Sequence, residues 1–223
     1  MVVSGLPTPI EADVLLFLGL LLAAAATAIL SAEFGWRRLF YAAKPLTTLI
    51  ILVEAGLVTP AATGARIPLL IALGLALAGD IVLMLPRDSF RAGMAAFLLA
   101  QLAFIWAFAT RLSGAPPIGG LLFLLGIALL AVLALRKDLG ALAAPVAVYA
   151  VVLMLMVWTA WGAMVLVPSG LTRAGFSGAV LFLMSDVVLA VRRFRASFPG
   201  GQALTLGTYF AALFLITLSF SAS

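Results

Sequence analysis

Eight apolar stretches, each close to the length of a membrane-crossing helix, occupy most of this 223-residue chain. They cover residues 14–32, 39–58, 67–85, 92–110, 117–135, 139–167, 174–191 and 203–221, and charges or Pro and Gly separate them. A helix of about 20 apolar residues spans the hydrocarbon core of a bilayer. Lipid offers the backbone no hydrogen-bond partners, so such stretches must be helices or closed barrels. A barrel would alternate apolar and polar positions over segments of about 10 residues, and this chain does not. The expectation is an all-α polytopic membrane protein: eight transmembrane helices forming one domain over residues 1–223. The sixth stretch exceeds the rest and should tilt or kink to fit.

Composition excludes the alternatives. Only 9% of residues are charged and 65% are apolar, with a mean hydropathy of +1.29. A soluble domain carries about a quarter charged residues to face water. Disordered chains are poor in apolar residues. The 13 basic and 8 acidic residues give a net charge of +5 but are scattered, so no basic face for nucleic acid exists. Cys and His are both absent. That removes disulfides, thiolate nucleophiles, common zinc sites and imidazole chemistry, and no metal or cofactor is expected. No Gly-rich phosphate loop or Gly-x-Ser-x-Gly elbow occurs.

Basic residues set an orientation. The connections after stretches 1, 3, 5 and 7 carry Arg37, Arg38, Arg87, Arg91, Arg136, Lys137, Arg192, Arg193 and Arg195. Those after stretches 2, 4 and 6 carry Arg66, Arg111 and Arg173. Positive residues accumulate on the cytoplasmic side, so nine against three places both termini outside the cytoplasm. A bacterial inner membrane is the natural setting. Glu11 and Asp13 precede the first stretch where a signal peptide would be basic, so that stretch reads as a retained span. Gly79-Asp80-Ile81-Val82-Leu83 echoes Ser185-Asp186-Val187-Val188-Leu189, with Phe90 and Phe194 following. An even number of helices separates them, the pattern of a weak parallel 4+4 repeat.

Four ionisable residues fall within the spans: Lys44, Glu54, Asp80 and Asp186. A charge near the bilayer centre costs about 2.5–3.5 kcal/mol even on lenient scales. Lys44, Asp80 and Asp186 each lie six or seven residues inward from Arg38, Arg87 and Arg192. At about 1.5 Å per residue this is one level, roughly 9–10 Å deep. Glu54 lies ten residues beyond Lys44 and does not join them. Two close carboxyls in low dielectric do not both ionise easily. Beside a lysine they suit general acid/base hydrolysis, a proton relay for a small coupled transporter, or a structural ion pair. Pro45 follows Lys44 and removes a backbone donor, which Thr47 or Thr48 can help offset. Gln101, Tyr149, Ser185, Thr48 and Tyr209 are further polar side chains at depth, either lining a substrate site or hydrogen-bonding helices together. Trp36, Trp106, Trp158 and Trp161 are candidate interfacial anchors.

Several segments together resemble one family. They are Lys44-Pro45-Leu46-Thr47-Thr48-Leu49; Gly79 to Met84 with Phe90, Gly93 and Phe97; Pro145 to Tyr149 with Met156; and Gly178 to Asp186 with Leu189, Ala190 and Phe194. Their order and spacing resemble the YhhN-like lysoplasmalogenases, small integral membrane proteins of eight expected spans. The resemblance implies hydrolysis of the vinyl ether bond of a lysophospholipid within membrane lipid, giving a fatty aldehyde and a glycerophospho head group. By the same likeness, Lys44, Asp80 and Asp186 match the family's intramembrane polar positions. Where the family commonly has a helix-4 histidine, this chain has Gln101, an amide that hydrogen-bonds but does not transfer protons near neutral pH. Vinyl ethers hydrolyse by protonation at carbon. One aspartate is then expected to be the acid and the other to stabilise the cation and activate water, with Lys44 tuning the pair or contacting the lipid phosphate.

Overall fold

Small side chains decide where the helices of this protein touch. The computed structural model describes residues 9–57, 64–85 and 89–221. Among them are α1 (Pro9–Glu33), α2 (Arg37–Leu57), α3 (Arg66–Leu83), α4 (Phe90–Ala109), α5 (Ile118–Leu139), a 3-10 turn (Gly140–Leu142), α6 (Ala143–Leu166), α7 (Gly170–Phe194) and α8 (Gly201–Ser219), with no β-strand. Among the described residues seven apolar helical stretches are long enough to cross a membrane; the one at Ile118–Leu166 carries both α5 and α6.

The distribution of side chains is inverted relative to a soluble protein. Leu22, Phe123 and Leu130 are 68%, 70% and 68% exposed, whereas Thr47, Thr48, Asp80 and Gln101 are wholly buried. Ala28, Ala72, Ala76, Ala107 and Ala179 are also fully buried. Lipid tails are as apolar as leucine, so burying leucine between helices gains little in a bilayer. Close packing through small residues, with polar groups bonded across the interface, drives association instead.

These contacts close a ring of six helices. α2 packs on α3, α3 on α4, α4 on α6, α6 on α7, α7 on α8, and α8 returns to α2. α1 lies outside the ring against α2 and α8, and α5 lies outside it against α6 with slight contact to α7. The closest approach in the ring is between α7 and α8. A Cβ built on Gly178 would stand 2.9 Å from the Ala212 carbonyl oxygen and 2.9 Å from the Ile216 nitrogen.

The expected stretches correspond to the helices with one systematic difference: the helices continue past the charges. Arg37, Arg38, Arg66, Arg91, Arg136, Lys137, Arg173, Arg192 and Arg193 sit in terminal turns, not in connections. Their long stems let the charge reach outward while the backbone stays helical, except at Arg192, whose Nη1 turns to Thr205 Oγ1 on α8 at 3.4 Å. Arg87 lies outside the described residues. The surplus length of the sixth stretch is taken up by the 3-10 turn, where Gly140 has φ +51°. Past it the chain reverses. Trp158 Nε1 donates to the Pro117 carbonyl at 3.1 Å, and Gly120 abuts the Trp161 ring. The start of α5 therefore lies beside the end of α6. Trp36 and Trp106 instead face outward, 56% and 54% exposed.

Gly178→Ala forces a methyl against backbone on α8 and is expected to destabilise by about 1–3 kcal/mol. Gly74→Ala adds a methyl with nothing within 4 Å and is expected to cost nothing. Thermal unfolding of both variants in detergent checks the pair.

Candidate active site

Each helix of the ring sends one to three polar side chains toward the site. Lys44 and Thr48 are one turn apart on α2, so both face α3. α2 runs through Pro45 without a break, and Thr47 Oγ1 donates back to the Ala43 carbonyl at 2.8 Å. Asp80, on α3, is fully buried, and the Lys44 ammonium stands 3.0 Å from its Oδ1. Its Oδ2 accepts from Thr48 Oγ1 at 2.6 Å and from the Tyr209 hydroxyl at 2.9 Å. The ammonium meets Oδ1 as an ion pair without good hydrogen-bond geometry, since no hydrogen bond ends on that atom. A buried carboxylate needs such partners, because desolvation without them costs several kcal/mol (about) per ion.

Asp186, on α7, has a different environment. Its Oδ2 accepts from the Tyr149 hydroxyl at 2.7 Å and from Gln101 Nε2 at 3.3 Å. Among the described residues no cation pairs with it. The Gln101 Oε1 atom is buried and has no partner, so the amide is turned to donate to the carboxyl. Ser185 Oγ, next in sequence, donates to the Thr205 carbonyl at 3.0 Å and ties α7 to α8.

Two cavities meet at Asp186. A slot of about 140 Å³ is walled by α4, α5, α6 and α7 and the end of α3, and among the described residues Tyr149 and Asp186 are its only polar lining. A smaller cavity of about 60 Å³ is lined by Lys44, Asp80, Ser185, Asp186, Thr205 and Tyr209, among others. Leu83, Phe97, Asp186 and Leu189 belong to both. Edge-to-face rings stiffen this partition: Phe97 and Tyr209 have centroids 5.8 Å apart, and Phe182 and Tyr209 are 5.9 Å apart. An apolar chamber and a polar one thus share a carboxyl.

The structure brings Lys44, Asp80 and Asp186 to one cavity, with Ser185 and Tyr209 in its wall. Thr48 and Gln101 reach the carboxyls but line neither cavity, and Glu54 lines neither as well. Two polar lining residues of the smaller cavity went unmarked in the sequence, Gln202 and Thr205. Their spacing to Tyr209, at i, i+3 and i+7, is the signal that places all three on one helix face.

A helical bundle with apolar flanks, buried polar contacts and a paired charge at depth defines an integral membrane protein with an internal polar site. The chain matches the YhhN family over residues 39–220 and belongs to it, as the motif resemblance implied. It is 31% identical to the YhhN membrane protein of Escherichia coli O157:H7 over 186 residues, covering 82% of this chain and 87% of that protein. It is also 38% identical over 149 residues to human lysoplasmalogenase TMEM86B, covering 63% of this chain and 58% of that one. The rat lysoplasmalogenase TMEM86B is 38% identical over 146 residues, covering 63% and 56%. The chain therefore spans less than two thirds of the curated lysoplasmalogenases it matches. No solved structure matches it.

Lys44→Met leaves Asp80 buried without its cation. The expected cost is about 3–5 kcal/mol, and Asp80→Leu added to it should restore much of the loss. Denaturant titration of the single and double variants in detergent measures both.

Proposed function

We propose that this protein is a membrane-embedded hydrolase that cleaves the vinyl ether bond of a lysoplasmalogen or a related ether lysolipid. The observation that carries this reading is a carboxyl shared between an apolar slot and a polar cavity. The substrate has the same division: an alkenyl chain on one side of the reactive group and a glycerophospho head group on the other. The human and rat lysoplasmalogenases among its relatives support the reading.

The chemistry assigns the two aspartates different work. Protonation of the alkene carbon away from the ether oxygen is the slow step, and that carbon lies on the chain side. Asp186 lines the slot and Asp80 does not, so Asp186 is the acid. Its proton goes to that carbon, and an oxocarbenium ion forms at the carbon bonded to oxygen. Water adds there and returns a proton to Asp186, giving a hemiacetal. The hemiacetal collapses to a fatty aldehyde and the free glycerol hydroxyl. Asp80 supplies fixed negative charge in the cavity where the water resides. Lys44 holds that charge in place and, as a cation in the cavity wall, can receive the lipid phosphate. Tyr149 and Gln101 orient the Asp186 carboxyl, and Tyr209 and Thr48 orient Asp80.

We read α5 and α6 as separate spans, because the Gly140 turn reverses the chain between them and their far ends lie together. That makes eight spans, with both termini on the non-cytoplasmic side. We also read the halves as a parallel 4+4 repeat. Shifting each helix by four maps the six-helix ring onto itself and carries Asp80 on α3 to Asp186 on α7. It carries the donors Thr48 and Tyr209 to the helices of Tyr149 and Gln101. A proton-coupled carrier would need a polar route to the opposite end. Glu54 is the deep charge on that side, and it lines neither cavity.

Asp186→Asn is expected to lower aldehyde release from a vinyl-ether lysolipid by roughly a hundredfold or more, the scale of general acid catalysis. Asp80→Asn should abolish most activity as well and also destabilise the protein, because it leaves the Lys44 ammonium unpaired; Tyr149→Phe should cost about tenfold, and it and Asp186→Asn should remain folded. Full activity in Asp186→Asn, or aldehyde release undetectable with wild-type protein, overturns the reading.

A further inference from the structure

The slot has an outer wall that belongs to a helix outside the ring. Ala128, Ala131, Val132 and Leu135 of α5 line it at i, i+3, i+4 and i+7, one face of the helix. Opposite them stand residues of α7 that include Val187, Ala190 and Phe194. Yet α5 barely touches α7 and rests on α6. Ala131 is exposed and Val187 is 48% exposed, so the slot opens on the lipid-facing surface between α5 and α7. At the arginine-bearing end the gap is bridged. Arg195 Nε stands 3.3 Å from Asp138 Oδ2, and its Nη2 donates to the Ala134 carbonyl at 2.7 Å. Phe90 and Phe194, edge to face at 5.7 Å, line the slot as well.

The size of the slot limits what it encloses. A cavity of about 150 Å³ lined by apolar side chains holds one benzene ring, or about six carbons. The slot, at about 140 Å³, matches that size. A membrane lipid chain is two to three times longer. Resting on the hydrolase reading above, we propose that the slot is a side-entry site for a single-chain lipid. It grips about the first six carbons next to the reactive group and leaves the rest of the chain in the bilayer between α5 and α7. The enzyme then needs no enclosed tunnel, and it discriminates poorly among chains longer than the slot. A second chain on the same glycerol would have to share the opening, so the slot favours lysolipids over diradyl lipids.

The test uses a non-cleavable probe, a saturated hexadecyl ether lysophospholipid carrying a photoreactive diazirine near either the fourth or the twelfth carbon. It is added to the full-length protein in lipid nanodiscs, and labelled residues are mapped by mass spectrometry. The near-carbon probe is expected to label slot residues such as Met94 and Leu153. The far-carbon probe is expected to label bulk lipid and the outer faces of α5 and α7. Ala131→Phe should cut near-carbon labelling roughly tenfold. Leu130→Phe, on the outward face of α5, should leave it unchanged. Labelling of the slot by the far-carbon probe, absence of near-carbon labelling there, or equal effects of the two substitutions overturns the proposal. Slot labelling without aldehyde release from a vinyl-ether substrate overturns the hydrolase reading and leaves the side-entry site standing.

Discussion

The ion pair between Lys44 and Asp80 is the contact on which the site depends. A lone charge at that depth would cost several kcal/mol (about), so neither residue is tolerable without the other. Their pairing at 3.0 Å makes α2 and α3 one unit. The two hydroxyls that converge on the other carboxylate oxygen then recruit α8. Three ring helices are thereby held in register by one carboxylate, and Phe97 and Phe182 pack edge to face against the tyrosine that completes the set. Apolar packing alone specifies register weakly in lipid; a buried charge that needs all its partners specifies it strongly.

The second carboxyl is built on the same plan with the cation left out. Asp186 receives one tyrosine hydroxyl and one amide, whereas Asp80 receives two hydroxyls and an ammonium. Pro45 follows Lys44 on α2, and Pro145 follows Ala144 on α6. One lysine is the chief difference between the two environments. It turns a pair of like groups into an ion pair and a carboxyl with neutral donors, so two equal residues sit in unequal surroundings.

Most of the architecture was legible in the sequence because lipid simplifies the rules. Length and apolarity mark each helix, and rarity marks the charges that matter: Lys44, Asp80 and Asp186 stood out because so few others lie at depth. Helix ends were less legible, since residues such as Arg37 and Arg136 look like boundaries but reach outward from helical turns. The partners of each aspartate were not legible. Nothing in the spacing says that Thr48 and Tyr209 serve Asp80 while Tyr149 and Gln101 serve Asp186, because those contacts arise from the order of helices around the ring. The slot was equally hidden. It is a gap between α5 and α7, and apolar residues that line a gap read the same as those that face lipid.

The position of α5 outside the ring separates two kinds of evolutionary freedom. Substitutions along its inner face reshape the slot, while none of the side chains that bond Asp80 or Asp186 lies on α5 itself. On the proposed function, the chemistry can therefore stay constant while the preference for lipid drifts, in the manner of a fixed tool with an interchangeable jaw.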